Sequence, residues 1–381
     1  MSEDTIREDG NTLERRRFLQ YAGSAAVASA VGLPASGLAA PSEPFVPGVS
    51  THQYDKMFVA SVTPYRPGTE EIDATAFRNY MRYFAQPKFV DAGGGILVSP
   101  EAGEAFYTTP QEKVLLAEIA LEEAGDKTIV FSGSMQNTTK ALLEEAKALK
   151  AAGVHGIFLM PPIGSIDVVG QWDPIKNPEV WLDQIRAVAD AVGLPIILHP
   201  TGGMNYALPL ETAMKYIDAV PNIVGYKMIT ADRVAMGNAL RAYKKRHVAI
   251  LPASAASMHE SILRDHFDGT VSGSWNYAME PTVDAIIAAR DEGNNDKAER
   301  IWADGLLSLH RAVGNREQGY RLHSGYKVTT WLRGLIPSPF LRAPQRRLPI
   351  DQVLELRAAV ENAHLEVISD AAISKAYPEY S

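Results

Sequence analysis

From about residue 58 onward, short apolar runs alternate with longer segments in which apolar positions recur at helical spacing. The short runs predict strands at 58–63, 95–99, 128–132, 155–160, 196–199, 223–228, 248–251 and 269–273. Between them, helices are predicted at 73–84, 110–123, 138–151, 178–192, 210–219 and 256–265, with a further helix opening at Thr230-Ala231-Asp232. Thr109-Pro110-Gln111-Glu112 reads as a helix start, with threonine as the cap and proline in the first turn. Eight βα units at this spacing predict an α/β fold, a (β/α)8 TIM barrel, rather than an open doubly wound sheet. No Gly-x-Gly-x-x-Gly follows the first strand, which argues against a dinucleotide fold. Beyond residue 280 strands cease, and prolines 337, 339, 344 and 349 punctuate a helical tail that ends in a helix at 350–362.

The sixth strand, Ile223-Val224-Gly225-Tyr226-Lys227-Met228, ends in a lysine. The carboxyl ends of barrel strands are where such folds keep their chemistry, and an amine in apolar surroundings loses protons readily and attacks carbonyls. Taken alone, the segment better fits a strand-end lysine reaching for solvent.

The N-terminus follows another pattern. Arg15-Arg16-Arg17-Phe18-Leu19 precedes an Ala/Gly-rich apolar run ending at Leu38-Ala39-Ala40, which reads as a twin-arginine export signal rather than an anchor. The expected organisation is a signal at 1–40, a linker at 41–55, the barrel at 56–279 and a helical C-terminal region at 280–381. The mature protein is therefore expected in the periplasm, with no membrane partner after signal removal. A net charge of −8 argues against nucleic acid, and the lack of cysteine removes disulfides, thiolate chemistry and Cys-based metal sites. His52, His259, His266, His310 and His323 are scattered without ligand spacing, so no metal or other cofactor is expected.

Four segments on four strands resemble the dihydrodipicolinate synthase/N-acetylneuraminate lyase family of class I aldolases and dehydratases: Val62-Thr63-Pro64-Tyr65, Pro100-Glu101-Ala102-Gly103-Glu104, Val224-Gly225-Tyr226-Lys227, and Gly269 to Asn276. The resemblance spans residues 58–363. It implies that Lys227 forms a Schiff base with a 2-oxo acid or related carbonyl compound, and that the protein is a homo-oligomer, dimer or tetramer. It also implies substrate-binding roles for Thr63, Ala102, Gly103, Ser272 and Asn276, with Thr63 bonded near the lysine and Glu104 anchoring its loop to backbone amides.

The departures are informative. The family's proton-shuttling tyrosine on strand five is replaced by His199, its hydroxyl-bearing loop by Glu101-Ala102, its second tyrosine falls near Pro162-Ile163, and its carboxylate-binding arginine aligns with Met204. A tyrosine relay and standard dihydrodipicolinate synthesis are thereby disfavoured, and His199 and Glu101 become the candidate acid/base pair. His155 stands at the opposite end of its strand and reads as structural. Two functions remain open: a Schiff-base lyase, including one for a substrate without a carboxylate, or a non-catalytic binding or sensing barrel.

Overall fold

In the computed structural model, the residues described are 44–162, 177–200, 208–229, 238, 246–253, 268–314 and 322–378. All belong to one compact unit, Ala39–Ser381. The expected export signal lies outside the described residues, as do Ile163, Met204, the segment from Thr230 to 237 and the predicted helix at 256–265.

The eight strands are β1 (Met57–Ala60), β2 (Gly94–Val98), β3 (Val130–Ser134), β4 (Gly156–Leu159), β5 (Ile196–Leu198), β6 (Ile223–Met228), β7 (Ala249–Pro252) and β8 (Thr270–Ser272). They pair in parallel in the order β7-β6-β5-β4-β3-β2-β1-β8. At the remaining seam Asp268 joins β8 to β7: its carboxylate accepts from Ile250 N at 2.8 Å and its own amide donates to Ile250 O at 3.1 Å. The result is the expected (β/α)8 barrel. Its strands are buried on both faces, which is why they read as apolar runs rather than alternating ones.

Outer helices include α1 (Ala74–Phe84), α2 (Pro110–Ala124), α3 (Thr139–Ala152), α4 (Glu179–Val192) and α5 (Leu210–Ala219). Their starts follow the sequence. Asp73 caps α1, Thr138 caps α3, and Thr109 with Glu112 forms a full capping box on α2. Strand ends differ from expectation by a few residues. β3 continues to Ser134 because Gly133, which looks like a turn residue in the sequence, pairs in the ladder with Phe158.

After β8, helix α6 (Trp275–Ile286) runs across the expected 279/280 boundary, so barrel and tail are continuous there. Helices α7 (Asn295–Ile301), α8 (Leu307–Gly314), α9 (Leu322–Leu332), α10 (Ile350–Asn362) and α11 (Asp370–Ala376) follow. Among them, α9 carries an unusual inward stripe: Ser324, Lys327, Thr329 and Thr330 are all buried. No helix among the described residues is long and apolar enough to cross a membrane.

Candidate active site

Lys227 sits near the end of β6, three positions past a one-residue register shift at Val224, where Ile196 faces Ile223 but Ile197 faces Gly225. Such a bulge re-aims the side chains that follow it. Lys227 Nζ comes to 3.0 Å from His199 Nε2, and that same nitrogen lies 3.0 Å from Glu101 Oε2. The three residues singled out from the sequence as catalytic therefore form one chain of contacts across the barrel mouth. His199 extends the β4–β5 ladder through its amide, which donates to Leu159 O at 2.9 Å. Phe158 walls the group, with its ring centroid 5.0 Å from that of His199 and 5.7 Å from Nζ.

Glu101 reaches this point because the chain turns sharply after β2. Ser99 adopts φ +52° and Glu104 φ +62°, left-handed conformations uncommon for residues with side chains, on either side of the single helical turn Glu101–Gly103. The kink at Ser99 is possible only against a glycine. A Cβ on Gly133 would lie 1.9 Å from Ser99 O.

Burial lowers the Lys227 ammonium from 10.5 to about 8, opposed by the nearby Glu101 carboxylate. Burial, aided by the Lys227 charge, lowers His199 to about 4 against the pull of Glu101, so the imidazole is neutral. For Glu101, burial pushes upward, but the hydrogen bond to His199 and the positive groups around it win, holding the carboxyl well below the usual range.

The tautomer follows from the contacts. If Lys227 stays an ammonium and donates to Nε2, the imidazole hydrogen must sit on Nδ1, which is buried without a partner among the described residues. Placing it on Nε2 instead directs it at Glu101 and leaves the amine facing the ring through its lone pair. With the hydrogen on Nδ1, the Glu101 carboxylate oxygen, which can only accept, would face the Nε2 lone pair at 3.0 Å, so the contacts favour the Nε2–H form and the nucleophilic amine.

The expected substrate-binding residues fare differently. Thr63 does not reach the lysine: its hydroxyl donates to Gly103 O at 2.7 Å and fastens the Glu101 turn to the end of β1. Gly103 is thereby engaged as well, and Ala102 is buried. Asn276 is corrected outright. It is 0% exposed, its amide donates to Ala60 O and Gly273 O, and its carbonyl accepts from Val62 N and the Tyr80 hydroxyl. Both donors and both lone pairs are used, so it stitches β1 to β8 and has nothing left for a ligand. Ser272 shares a hydrogen bond with Ser274, their oxygens 2.7 Å apart, beneath the mouth. His155 accepts from Val130 N at 2.9 Å, the structural role expected of it.

Glu104 does accept from a backbone amide, Arg342 N at 3.1 Å, as expected of a loop anchor. It also makes an ion pair with Lys327 of α9 that the sequence reading missed, both side chains being at most 2% exposed. That pair docks α9 over the turn carrying Glu101. The docking brings two further residues to the mouth. Tyr326 packs on β8's end, where a Cβ on Gly273 would lie 2.2 Å from its ring. His323 lies close enough to Glu101 and His199 for its charge to act on both. The available signal was spacing: 323, 326, 327 and 330 share one helical face.

At the amino ends of the strands, His52, Asp55 and His247 bring ligand-type atoms within 4.8 Å of one another, although His52 reads as isolated in the sequence. Each imidazole bonds its own Asp55 oxygen at 2.7 Å, and the rings stack with centroids 4.0 Å apart. These bonds clamp the segment before β1 to the start of β7.

Comparison with known proteins gives the family and the fold. Residues 53–363 match the dihydrodipicolinate synthetase family. A 4-hydroxy-tetrahydrodipicolinate synthase from Mycobacterium leprae is 32% identical over 179 residues, 46% of this chain and 54% of that protein, so the chain spans about half the length of this relative. The corresponding protein of Thiobacillus denitrificans is 29% identical over 273 residues, 71% of this chain and 86% of its own length. A dihydrodipicolinate synthase structure from Cyanidioschyzon merolae with lysine bound superposes with a TM-score of 0.69 at 22% identity, covering 83% of this chain and 100% of that one, a likeness of fold. With the family's match running from just before β1 to just past α10, the chain belongs to the dihydrodipicolinate synthetase family.

Proposed function

We propose that the protein is a class I lyase, an aldolase or dehydratase in which Lys227 forms a Schiff base with a pyruvate-type 2-oxo compound. The observation that carries this reading is the buried amine 3.0 Å from a neutral imidazole that is itself bonded to a carboxylate. The names of the relatives, synthases of 4-hydroxy-tetrahydrodipicolinate, support the same class. In the proposed reaction the lone pair of Nζ attacks the carbonyl carbon; a C–N bond forms as the C=O π pair moves to oxygen, which takes a proton from the His199–Glu101 couple. The nitrogen, cationic after the attack, passes one proton to that hydroxyl, which departs as water while the nitrogen lone pair closes the C=N bond of the iminium. Breaking a bond at the adjacent carbon then sends its electron pair into the iminium and gives an enamine.

The reaction is proposed to differ from that of the standard synthase. His199 stands where the family's tyrosine would, and Glu101 sets a negative charge where the family offers hydroxyls, so a substrate carboxylate is repelled from that corner. A substrate presenting a hydroxyl or amine there fits better. The active form is proposed to be a homo-oligomer.

Incubation with pyruvate followed by borohydride should add a reduced pyruvyl group to Lys227, read by peptide mass spectrometry. With the amine at about 8, the initial trapping rate should fall roughly tenfold per pH unit below that value and level off above it, because only the neutral amine attacks. A trapping rate flat from pH 6 to 9 would count against a Lys227 nucleophile tuned in this way.

We also propose that the protein is exported through the twin-arginine route, on the strength of Arg16-Arg17-Phe18-Leu19 and the small-residue run after it. Residues 1–40 fused to a fluorescent reporter should carry it to the periplasm, and replacing Arg16 and Arg17 by lysine should hold it in the cytoplasm. Periplasmic fluorescence that ignores the double replacement refutes the route.

A further inference from the structure

We propose that His323, carried by the C-terminal helix α9, is the solvent-side end of the proton path that begins at Lys227, acting through Glu101 as a positioning and relay residue. The proposal rests on the Schiff-base reading above. Its basis is how α9 is held. Lys327, one turn beyond His323, is bonded to Glu104 at one edge of the Glu101 turn and donates to Phe340 O at 3.0 Å. Tyr326 is seated against Gly273 at the end of β8. With those two anchors fixed, the helical repeat puts His323 on the same face one turn nearer the mouth. Its ring centroid is 5.9 Å from that of Tyr326.

The need for such a group follows from burial. His199 is 1% exposed and Glu101 14%, and each cycle delivers protons to this couple that must leave before the next. His323 is only partly buried, and an imidazole is the side chain that exchanges protons with water near neutrality. The titratable groups facing it among the described residues are Glu101 on the turn after β2, His199 after β5 and Tyr326 on α9, with the Lys327–Glu104 pair one turn further along α9. The influence of His323 on both Glu101 and His199, and of Glu101 on Tyr326, is consistent with this grouping. In the proposed step a C–H bond next to the iminium breaks, its electron pair forms the enamine, the proton passes to the His199–Glu101 couple, then to His323, and leaves to water. The reverse path returns a solvent proton to carbon.

This step can be followed without knowing the substrate. Pyruvate in D2O should exchange its methyl protons when the protein is added, and proton NMR reads the rate. His323→Ala should slow exchange on the order of 100-fold, the scale of one general acid–base group, while the borohydride adduct at Lys227 still forms. Imidazole added to the buffer should restore much of the rate, and His323→Gln, which keeps the size and polarity, should lack the near-neutral limb of the pH profile. Exchange at the parental rate with an unchanged profile in both variants overturns the proposal. So does a slowed rate that imidazole does not raise, since that is what a loosened helix would give. Failure of the parent protein to form the adduct is a separate result: it overturns the Schiff-base reading itself and takes the relay with it.

Discussion

Lys227→Met should remove pyruvate trapping and methyl-proton exchange completely, a loss on the order of 10⁴-fold or more, and at the same time make the protein more stable. Both effects come from one buried amine. Without it no covalent iminium forms, and the remaining His199–Glu101 couple has no electron sink to work with. The stability gain arises because burial has lowered the ammonium from 10.5 to about 8, which means folding disfavours its charged form. One pKa unit is about 1.36 kcal/mol, so the ceiling on the gain is about 3 kcal/mol. The sign can be tested separately. Between pH 8 and 10.5 the unfolded chain binds the proton that the folded chain has lost, so parental stability should rise with pH across that window through this group. The methionine variant should lack that slope. Denaturation curves at pH 7 and 10 read the difference, and an adduct still forming in the variant would place the nucleophile elsewhere.

The second large effect belongs to the ion pair under α9. Glu104→Gln or Lys327→Met alone should each cost about 3–5 kcal/mol, because either leaves a charge in a place water cannot reach. Lys327 sits 4.2 Å above the Tyr65 ring, and Glu104 also accepts from Arg342 N and from Gln345 Nε2 at 2.6 Å. Losing the lysine leaves the carboxylate some donors. Glu104→Gln leaves the ammonium with no opposite charge, only neutral acceptors, the new amide oxygen and Phe340 O, and a ring face. Glu104→Gln should therefore be the more damaging single change. The double variant should recover most of the loss, giving a coupling energy well above that of a surface pair, measured by urea unfolding of all four proteins. Additive losses would show that the two side chains act independently.

The barrel is legible in the sequence because each βα unit writes its own local pattern: a buried strand is an apolar run, and a helix start such as Thr109-Pro110-Gln111-Glu112 carries its cap with it. Lys227 was legible for a related reason, as a lysine at a strand end, whereas His199 and Glu101 stood out only against the pattern of the resembled family. All stand at or just beyond strand ends, and in a closed parallel barrel those ends converge. Asn276 misled because its position at the end of strand eight is the same whether its amide faces a ligand or the backbone of β1. Only the four bonds it makes decide that. The Glu104–Lys327 pair spans 223 positions, and nothing local to either residue announces the other. His323 was hidden the same way: helical spacing predicts that α9 exists and which residues share a face, but not that this face lies over the Glu101 turn.

The tight approach between Ser99 and Gly133 has a practical corollary for anyone wishing to change what this barrel accepts. The turn that presents Glu101 cannot be exchanged as a cassette, since its shape is borrowed from the neighbouring strand: a methyl group on residue 133 would meet the carbonyl of Ser99 at 1.9 Å. A library that varies residues 100–103 while preserving that glycine explores new pockets on an intact frame, whereas one that also randomises 133 would chiefly return proteins in which the carboxylate has lost its aim.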